Sequence, residues 1–230
     1  QMHPTAMLFF EPEVPPMGPL VPISTSEIAL PSLGNVVLAP HYYSADLFVF
    51  NAWLGDGPGL VLSQWKKKAD GWNIPMLLGE FGASSTVGNA GGYMAAIYSW
   101  LDRNYVSATQ WSYTPAWTAQ GKDGWNREDL SIVDDHLQLR STLFAPRPYP
   151  QKTAGKPISF EPLAAGFKYS WINDPAMGGG KTEFYIPNGS SKNMKLKTAP
   201  FWARVVCSAT SDYLTVCESN YQGQLSVTLK

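Results

Sequence analysis

Glu80 stands in the run LLGEFG, Leu77 to Gly82, between two glycines. A carboxylate at the mouth of a buried strand is placed to attack the anomeric carbon of a sugar. The oxocarbenium-like transition state of that reaction carries positive charge and is stabilised by a nearby anion. Gly79 and Gly82 let the backbone turn and leave room for a substrate. The plainer alternative is a glutamate paired with a neighbouring cation. Other able side chains recur along the sequence. His41-Tyr42-Tyr43 precedes Glu80, and Trp111, Tyr113 and Trp117 follow it. A tyrosine hydroxyl beside a carboxylate holds it ionised and oriented. A histidine there reaches a sugar hydroxyl, and Trp111 offers a flat apolar floor for a sugar ring. Glu11, in FFEP, is the earliest member of the series.

The intervals from Glu11 to His41, His41 to Glu80 and Glu80 to Trp111 are 30, 39 and 31 residues. Each is the length of one strand–helix unit. Each of these residues closes a short, nearly continuous apolar run: AMLFFEPE, NVVLAPHYYS, IPMLLGEFGAS and VSATQWSYTP. Such runs are what parallel strands buried on both faces look like. GLVLSQWKKKADGW, from Gly59, and GGYMAAIYSWLDRNY, from Gly91, are predicted helices, the second with Tyr93, Ile97, Trp100 and Leu101 on one face. The proline-rich first connection has room for only a short helix. Functional groups at four consecutive strand ends favour a (β/α)8 barrel over an open doubly wound sheet, and four units make half of one. The predicted half barrel spans residues 1–147. Pro146, Pro148 and Pro150 mark a stiff connection, and from 148 to 230 the pattern changes to seven short alternating strands, FWARVVCS among them, divided by turn residues, which predicts a small β-sandwich.

The composition excludes other classes. Only 15% of residues are charged and the formal net charge is −1, which argues against a nucleic-acid partner. No apolar run is long enough for a membrane-spanning helix. The three histidines, His3, His41 and His136, have no metal-ligand spacing, so no metal or cofactor is expected. Cys207 and Cys217 fall on two adjacent predicted strands and suit either a cross-strand disulfide or two buried thiols. Asn188-Gly189-Ser190 permits N-glycosylation. An extracellular or secretory-lumen location agrees with a disulfide and with that sequon. Between Ser44 and Leu62, the apolar residues Leu47, Phe48, Val49, Phe50, Trp53, Leu54 and Leu60 predict a short core helix and a turn, or else a surface for a lipid tail or micelle. Lys66, Lys67 and Lys68 just beyond read as a solvated face.

His41-Tyr42-Tyr43, Gly79-Glu80-Phe81-Gly82 and Trp111, in this order and at this spacing, resemble the ends of strands six, seven and eight in glycoside hydrolase family 5. The segments WNREDLSIVDDHLQLR and RPYPQKTAGKPISF, followed by a sandwich, are similar to the endoglycoceramidase-related members. The resemblance implies a retaining mechanism with Glu80 as nucleophile, His41 and Tyr43 flanking it, and Trp111 stacking on the sugar. It implies a β-linked glycolipid such as a glycosylceramide as substrate. An endo-β-glucanase acting on polysaccharide, and a non-catalytic carbohydrate- or glycolipid-binding protein, are the rival readings. The sequence departs from the family at one point. Its general acid/base stands in Asn-Glu-Pro at strand four, whereas Phe10-Glu11-Pro12 lacks the asparagine and lies one unit before His41, at strand five. Glu11 is therefore expected in substrate contact or at the barrel rim. The acid/base, with strands one to four, is expected upstream of Gln1. A half barrel exposes two apolar sheet edges, so the missing half or a second copy is an expected partner.

Overall fold

The computed structural model describes residues 5–11, 29–55, 57–115, 118, 129–163, 166–187 and 196–229, with the backbone alone for 196–199. His3, Trp117, the sequon at Asn188 and most of the proline-rich first connection lie outside the described residues. The chain forms two compact units, 1–145 and 146–230.

The first unit is mixed α/β. Its elements in order are β1 (Leu8–Phe10), β2 (Val36–Leu38), β3 (His41–Tyr42), α1 (Ala45–Val49), α2 (Gly59–Gly71), β4 (Leu77–Phe81), α3 (Ala90–Asn104) and β5 (Ser107–Gln110). β1 pairs with β2, and β3, β4 and β5 pair in that order, every pairing parallel. β2 and β3 are one predicted run interrupted at Ala39-Pro40, where proline has no N–H to donate. The ladder nonetheless continues across the break. Ala39 N–H donates to the Phe10 carbonyl at 2.9 Å, Leu38 N–H to Pro75 at 3.0 Å, and Gly79 N–H to the Pro40 carbonyl at 2.9 Å. The four apolar runs are thus neighbours in chain order. Leu38, Leu78 and Phe81 share a core with Leu62 and Trp65 of α2 and with Tyr93, Ile97, Trp100 and Leu101 of α3. The predicted face of α3 is the buried one. Trp100 Nε1–H donates to Ser63 Oγ at 3.1 Å, which fixes α3 against α2.

The segment after β3 corrects the reading of a core helix. In α1 only Asp46 and Leu47 are buried, and Phe48, Val49, Phe50 and Leu54 are exposed. Five residues make little more than one turn, too short to bury a full apolar stripe. Leu60, on α2, is exposed as well. Two of the three lysines of α2 are satisfied locally: Lys66 pairs with Asp70 at 2.6 Å, and Lys68 lies over the Trp72 ring. No helix among the described residues is long and apolar enough to cross a membrane.

The second unit is all β. It contains β6 (Tyr149–Lys152), β7 (Gly155–Leu163), β8 (Gly166–Asn173), β9 (Lys181–Tyr185), β10 (Leu196–Ala199), β11 (Val206–Ala209), β12 (Leu214–Glu218) and β13 (Gly223–Leu229). Two antiparallel sheets form, β10-β13-β8-β7 and β11-β12-β9-β6. Phe167, Tyr169, Trp171, Leu225 and Val227 of the first share one core with Phe184 and Cys217 of the second. Alternation places these residues inward and their sequence neighbours outward.

Strand β6 departs from the expected stiff connection. It lies at a sheet edge, where the missing N–H of Pro150 removes no ladder bond. Residues 201–203, expected in a strand, instead form a 3-10 turn after Pro200. Cys207 and Cys217 face each other in register on β11 and β12 and are joined by a disulfide.

Candidate active site

The chemistry of the first unit gathers where its strands end. Parallel pairing sets His41 of β3 directly beside Glu80 of β4. Two residues on, Tyr43 donates its hydroxyl to Glu80 Oε2 at 3.1 Å. His41 Nδ1 lies 3.4 Å from the same oxygen and 3.0 Å from Oε1 of Glu11, the residue that follows β1. Trp111 follows β5, and its N–H donates to the Phe81 carbonyl at 2.9 Å. His41, Tyr43, Glu80 and Trp111, with Glu11, therefore sit at the C-terminal ends of neighbouring strands. The glutamate and histidine side chains are accessible, 31% for Glu80 and 33% for His41, so a substrate can reach them. Trp111 is exposed, and its peptide bond to Ser112 is cis.

The backbone behind these groups is tight. Gly79 sits under the imidazole: a Cβ there would come within 2.9 Å of the Ala39 carbonyl oxygen and of His41 Cδ2. At Gly82 a Cβ would overlap the Trp111 carbonyl oxygen. These glycines are required by close approach of the two neighbouring strands, not by an unusual φ. Tyr93 holds β3 from below, donating to the Tyr42 carbonyl at 3.3 Å; burial raises its phenol well above the usual range, so the proton stays on it. The segment after Trp111 is bracketed by Asp129–Arg140. Ser112 N–H donates to Leu130, Ile132 N–H to Ser112, and Arg140 pairs with Asp129 at 2.5 Å. The part of WNREDLSIVDDHLQLR that is described thus backs the chain at Trp111.

His41 Nδ1 has at most one N–H to give, and two carboxylates meet it. The shorter contact is to Glu11, which leaves the Tyr43 hydroxyl as the shorter of the two contacts to Glu80. Nδ1 of His41 lies against the two carboxylates, and its other edge lies beside Gly79. The Glu11–His41 contact was not foreseen. The signal for it was that both residues end adjacent strands. Phe48 is a second neighbour missed: its ring meets Tyr43 edge-on at 6.3 Å. Among the described residues no cluster of three or more His, Cys, Asp or Glu could hold a metal.

Substituting alanine at either glycine tests how tightly the site is built. Gly79→Ala is expected to push the His41 ring off its two carboxylates, and Gly82→Ala to displace Trp111. Each should cost about 1–3 kcal/mol of stability, the range for overpacking. The check is chemical denaturation together with the indole chemical shift of Trp111, which Gly82→Ala should move and Gly79→Ala should spare.

Residues 147–229 match the glycoside hydrolase family 5 C-terminal domain. No curated protein sequence matches significantly. Among solved structures, the chain is similar to endo-glycoceramidase II from Rhodococcus sp. in complex with a cellobiose-like imidazole, at 20% identity and a TM-score of 0.57, over 84% of this chain and 42% of that one. The same enzyme in complex with ganglioside GM3 matches at 19% identity and a TM-score of 0.55, over 84% and 42%. Sterylglucosidase 1 from Cryptococcus neoformans matches at 19% identity and a TM-score of 0.61, over 85% and 38%. The chain spans about two fifths of the length of these structures. At such identities the likeness is one of fold. Residues 147–229 thus match a glycoside hydrolase family 5 C-terminal domain, and the chain is similar in fold to solved endoglycoceramidase and sterylglucosidase structures.

Proposed function

We propose that this chain carries the nucleophile half of a retaining β-glycosidase acting on a glycolipid such as a glycosylceramide, in a (β/α)8 barrel followed by a β-sandwich. The observation that carries the reading is the Tyr43 hydroxyl on Glu80, with His41 beside it and Trp111 one strand on. In the first step a Glu80 oxygen bonds to the anomeric carbon as the bond to the aglycone oxygen breaks, and that oxygen takes a proton. In the second, water cleaves the glycosyl ester and the sugar leaves with retained configuration. Tyr43 holds the carboxylate aimed at the carbon through its hydroxyl. Trp111, exposed beside it, supplies an apolar face for the ring.

The leaving-group proton requires a second carboxyl about 5–5.5 Å from the first. Glu11, the other carboxylate against His41, is engaged by that ring. We assign the acid to a carboxyl outside these strands. The exposed apolar residues Phe48, Val49, Phe50 and Leu54, with Phe48 against Tyr43, are suited to the lipid part of the substrate. The solved relative that binds ganglioside GM3 supports a glycolipid over a soluble polysaccharide.

The direct test is mass spectrometry after incubation with a 2-fluoro β-glycoside bearing an activated leaving group, which needs little acid assistance. The expected result is one glycosyl adduct, on the peptide containing Glu80. A folded protein that forms no adduct and still binds glycolipid would replace this reading with that of a binding protein.

A further inference from the structure

Glu11 has no task in the two chemical steps, yet its carboxylate lies nearer to the His41 ring than that of Glu80 does. Its Oε1 is 3.0 Å from His41 Nδ1, against 3.4 Å for Glu80 Oε2. The backbone delivers it there. Phe10 pairs with Leu38 in the parallel register of β1 and β2, and the Phe10 carbonyl accepts the Ala39 N–H at 2.9 Å, two residues before His41. Pro12 follows Glu11 in the sequence and restricts it to extended backbone, so the strand direction carries on through Glu11. The Glu11 side chain is 48% exposed. The contact is therefore made at a position where core packing does not dictate it.

Nδ1 carries at most one proton, and two acceptors face it. The Glu11 distance is inside the usual N–H···O range and the Glu80 distance is beyond it. Glu80 Oε2 also takes the Tyr43 hydroxyl, at 3.1 Å. If the Nδ1 proton turned to Glu80, it would compete with Tyr43 for that one oxygen and draw the carboxylate off its aim. The ring has little room to withdraw, because its other edge lies beside Gly79, where a Cβ would come within 2.9 Å of His41 Cδ2. What separates the two donors is a second acceptor at Nδ1, and Glu11 supplies it.

We propose that Glu11 is a positioning residue: it takes the Nδ1 proton of His41 and so leaves Glu80 Oε2 to the Tyr43 hydroxyl. This rests on the reading of Glu80 as the nucleophile. The first measurement needs no turnover. It is the imidazole N–H resonance of His41 in the isotope-labelled full chain, assigned by its loss in His41→Ala. The proton should reside on Nδ1, and its resonance should move in Glu11→Ala and stay in Glu80→Gln. The second is the labelling rate with the 2-fluoro glycoside at saturating reagent. Glu11→Ala should lower it about tenfold, the effect of displacing one hydrogen bond to a charged group, with little change in reagent affinity. Glu11→Gln keeps an acceptor oxygen and should stay within about threefold of the wild type. In the His41→Ala background there is no proton to hold, and Glu11→Ala should then cost less than about twofold more. A merely structural role would show neither the rescue by glutamine nor the dependence on His41. Position 11 is half exposed, so near-ultraviolet circular dichroism should be preserved. A resonance that follows Glu80→Gln and ignores Glu11→Ala, a proton on Nε2, or equal losses from Glu11→Ala with and without His41 would overturn the proposal alone. A folded wild type that forms no adduct on Glu80 would overturn the nucleophile reading and the proposal with it.

Discussion

Glu80→Gln is expected to abolish covalent labelling by a 2-fluoro glycoside, with a rate loss of at least about 10³-fold. An amide keeps the size and the hydrogen-bond acceptor of the carboxylate, so the Tyr43 hydroxyl keeps a partner and the fold should be unchanged. What disappears is the anion that forms the ester. Tyr43→Phe isolates the supporting contact. It removes a hydrogen bond to a charged group from Glu80 Oε2, and such bonds contribute about 1.5–3 kcal/mol, or roughly 10–100-fold in rate. Its loss should appear in the labelling rate at saturating reagent more than in the reagent affinity, because the bond orients the carboxylate rather than the sugar. Tyr43→Phe keeps the Glu80 carboxylate itself, which places its activity well above that of Glu80→Gln. An adduct that persists in Glu80→Gln and maps to Glu11 would move the nucleophile one carboxylate across the His41 bridge.

The sequence carried much of this site because a parallel sheet converts spacing into adjacency. Residues that close runs 30 to 39 positions apart end neighbouring strands, and His41, Tyr43, Glu80 and Trp111 could be grouped on that ground. What spacing does not encode is which way a side chain turns once there. The His41 ring is held by the closeness of Gly79 behind it and by Glu11 beside it, contacts between strands that no single run displays. The second unit shows the same limit in another form. Alternation gave the strands β8, β9, β12 and β13, since period two is a property of one strand alone. It did not give β6, where Pro150 reads as a break until the strand is known to be an edge. Nor did it give the turn at Phe201–Ala203, where two aromatics resemble the start of a buried strand but only Ala203 is inside.

Trp171→Ala is expected to destabilise the second unit by about 3–5 kcal/mol, the range for emptying a buried indole site. Trp171 is fully enclosed, ring against Tyr169 at 5.4 Å and against Phe184 of the opposite sheet at 6.3 Å. Its removal withdraws contacts from both sheets at once. The indole is also held by polar contacts. Its Nε1–H donates to Asn173 Oδ1 at 3.1 Å, and the Asn173 amide in turn donates to the carbonyls of Ser219 at 3.1 Å and Tyr221 at 2.7 Å. Asn173→Leu keeps the volume but leaves the indole N–H and two carbonyls without that partner, at about 1–3 kcal/mol for each group that stays dry. Because the two residues share one bond, the double variant Trp171→Phe/Asn173→Leu should be less damaged than the sum of its single changes. The two units unfold as separate bodies if their stabilities differ, so a single global transition is the wrong readout. Hydrogen exchange at the amides of β8 and β13 reports on this unit alone, and Trp171→Ala should speed it about 10²-fold or more. If exchange accelerates equally at the Ala203 amide, the base of the Phe201-Trp202 turn opens with the core, and the turn's exposure is set by the same buried network that Trp171 and Asn173 hold together. If the Ala203 amide exchanges independently, the turn is a local structure and its rings are held out by Pro200 and Ala203 alone.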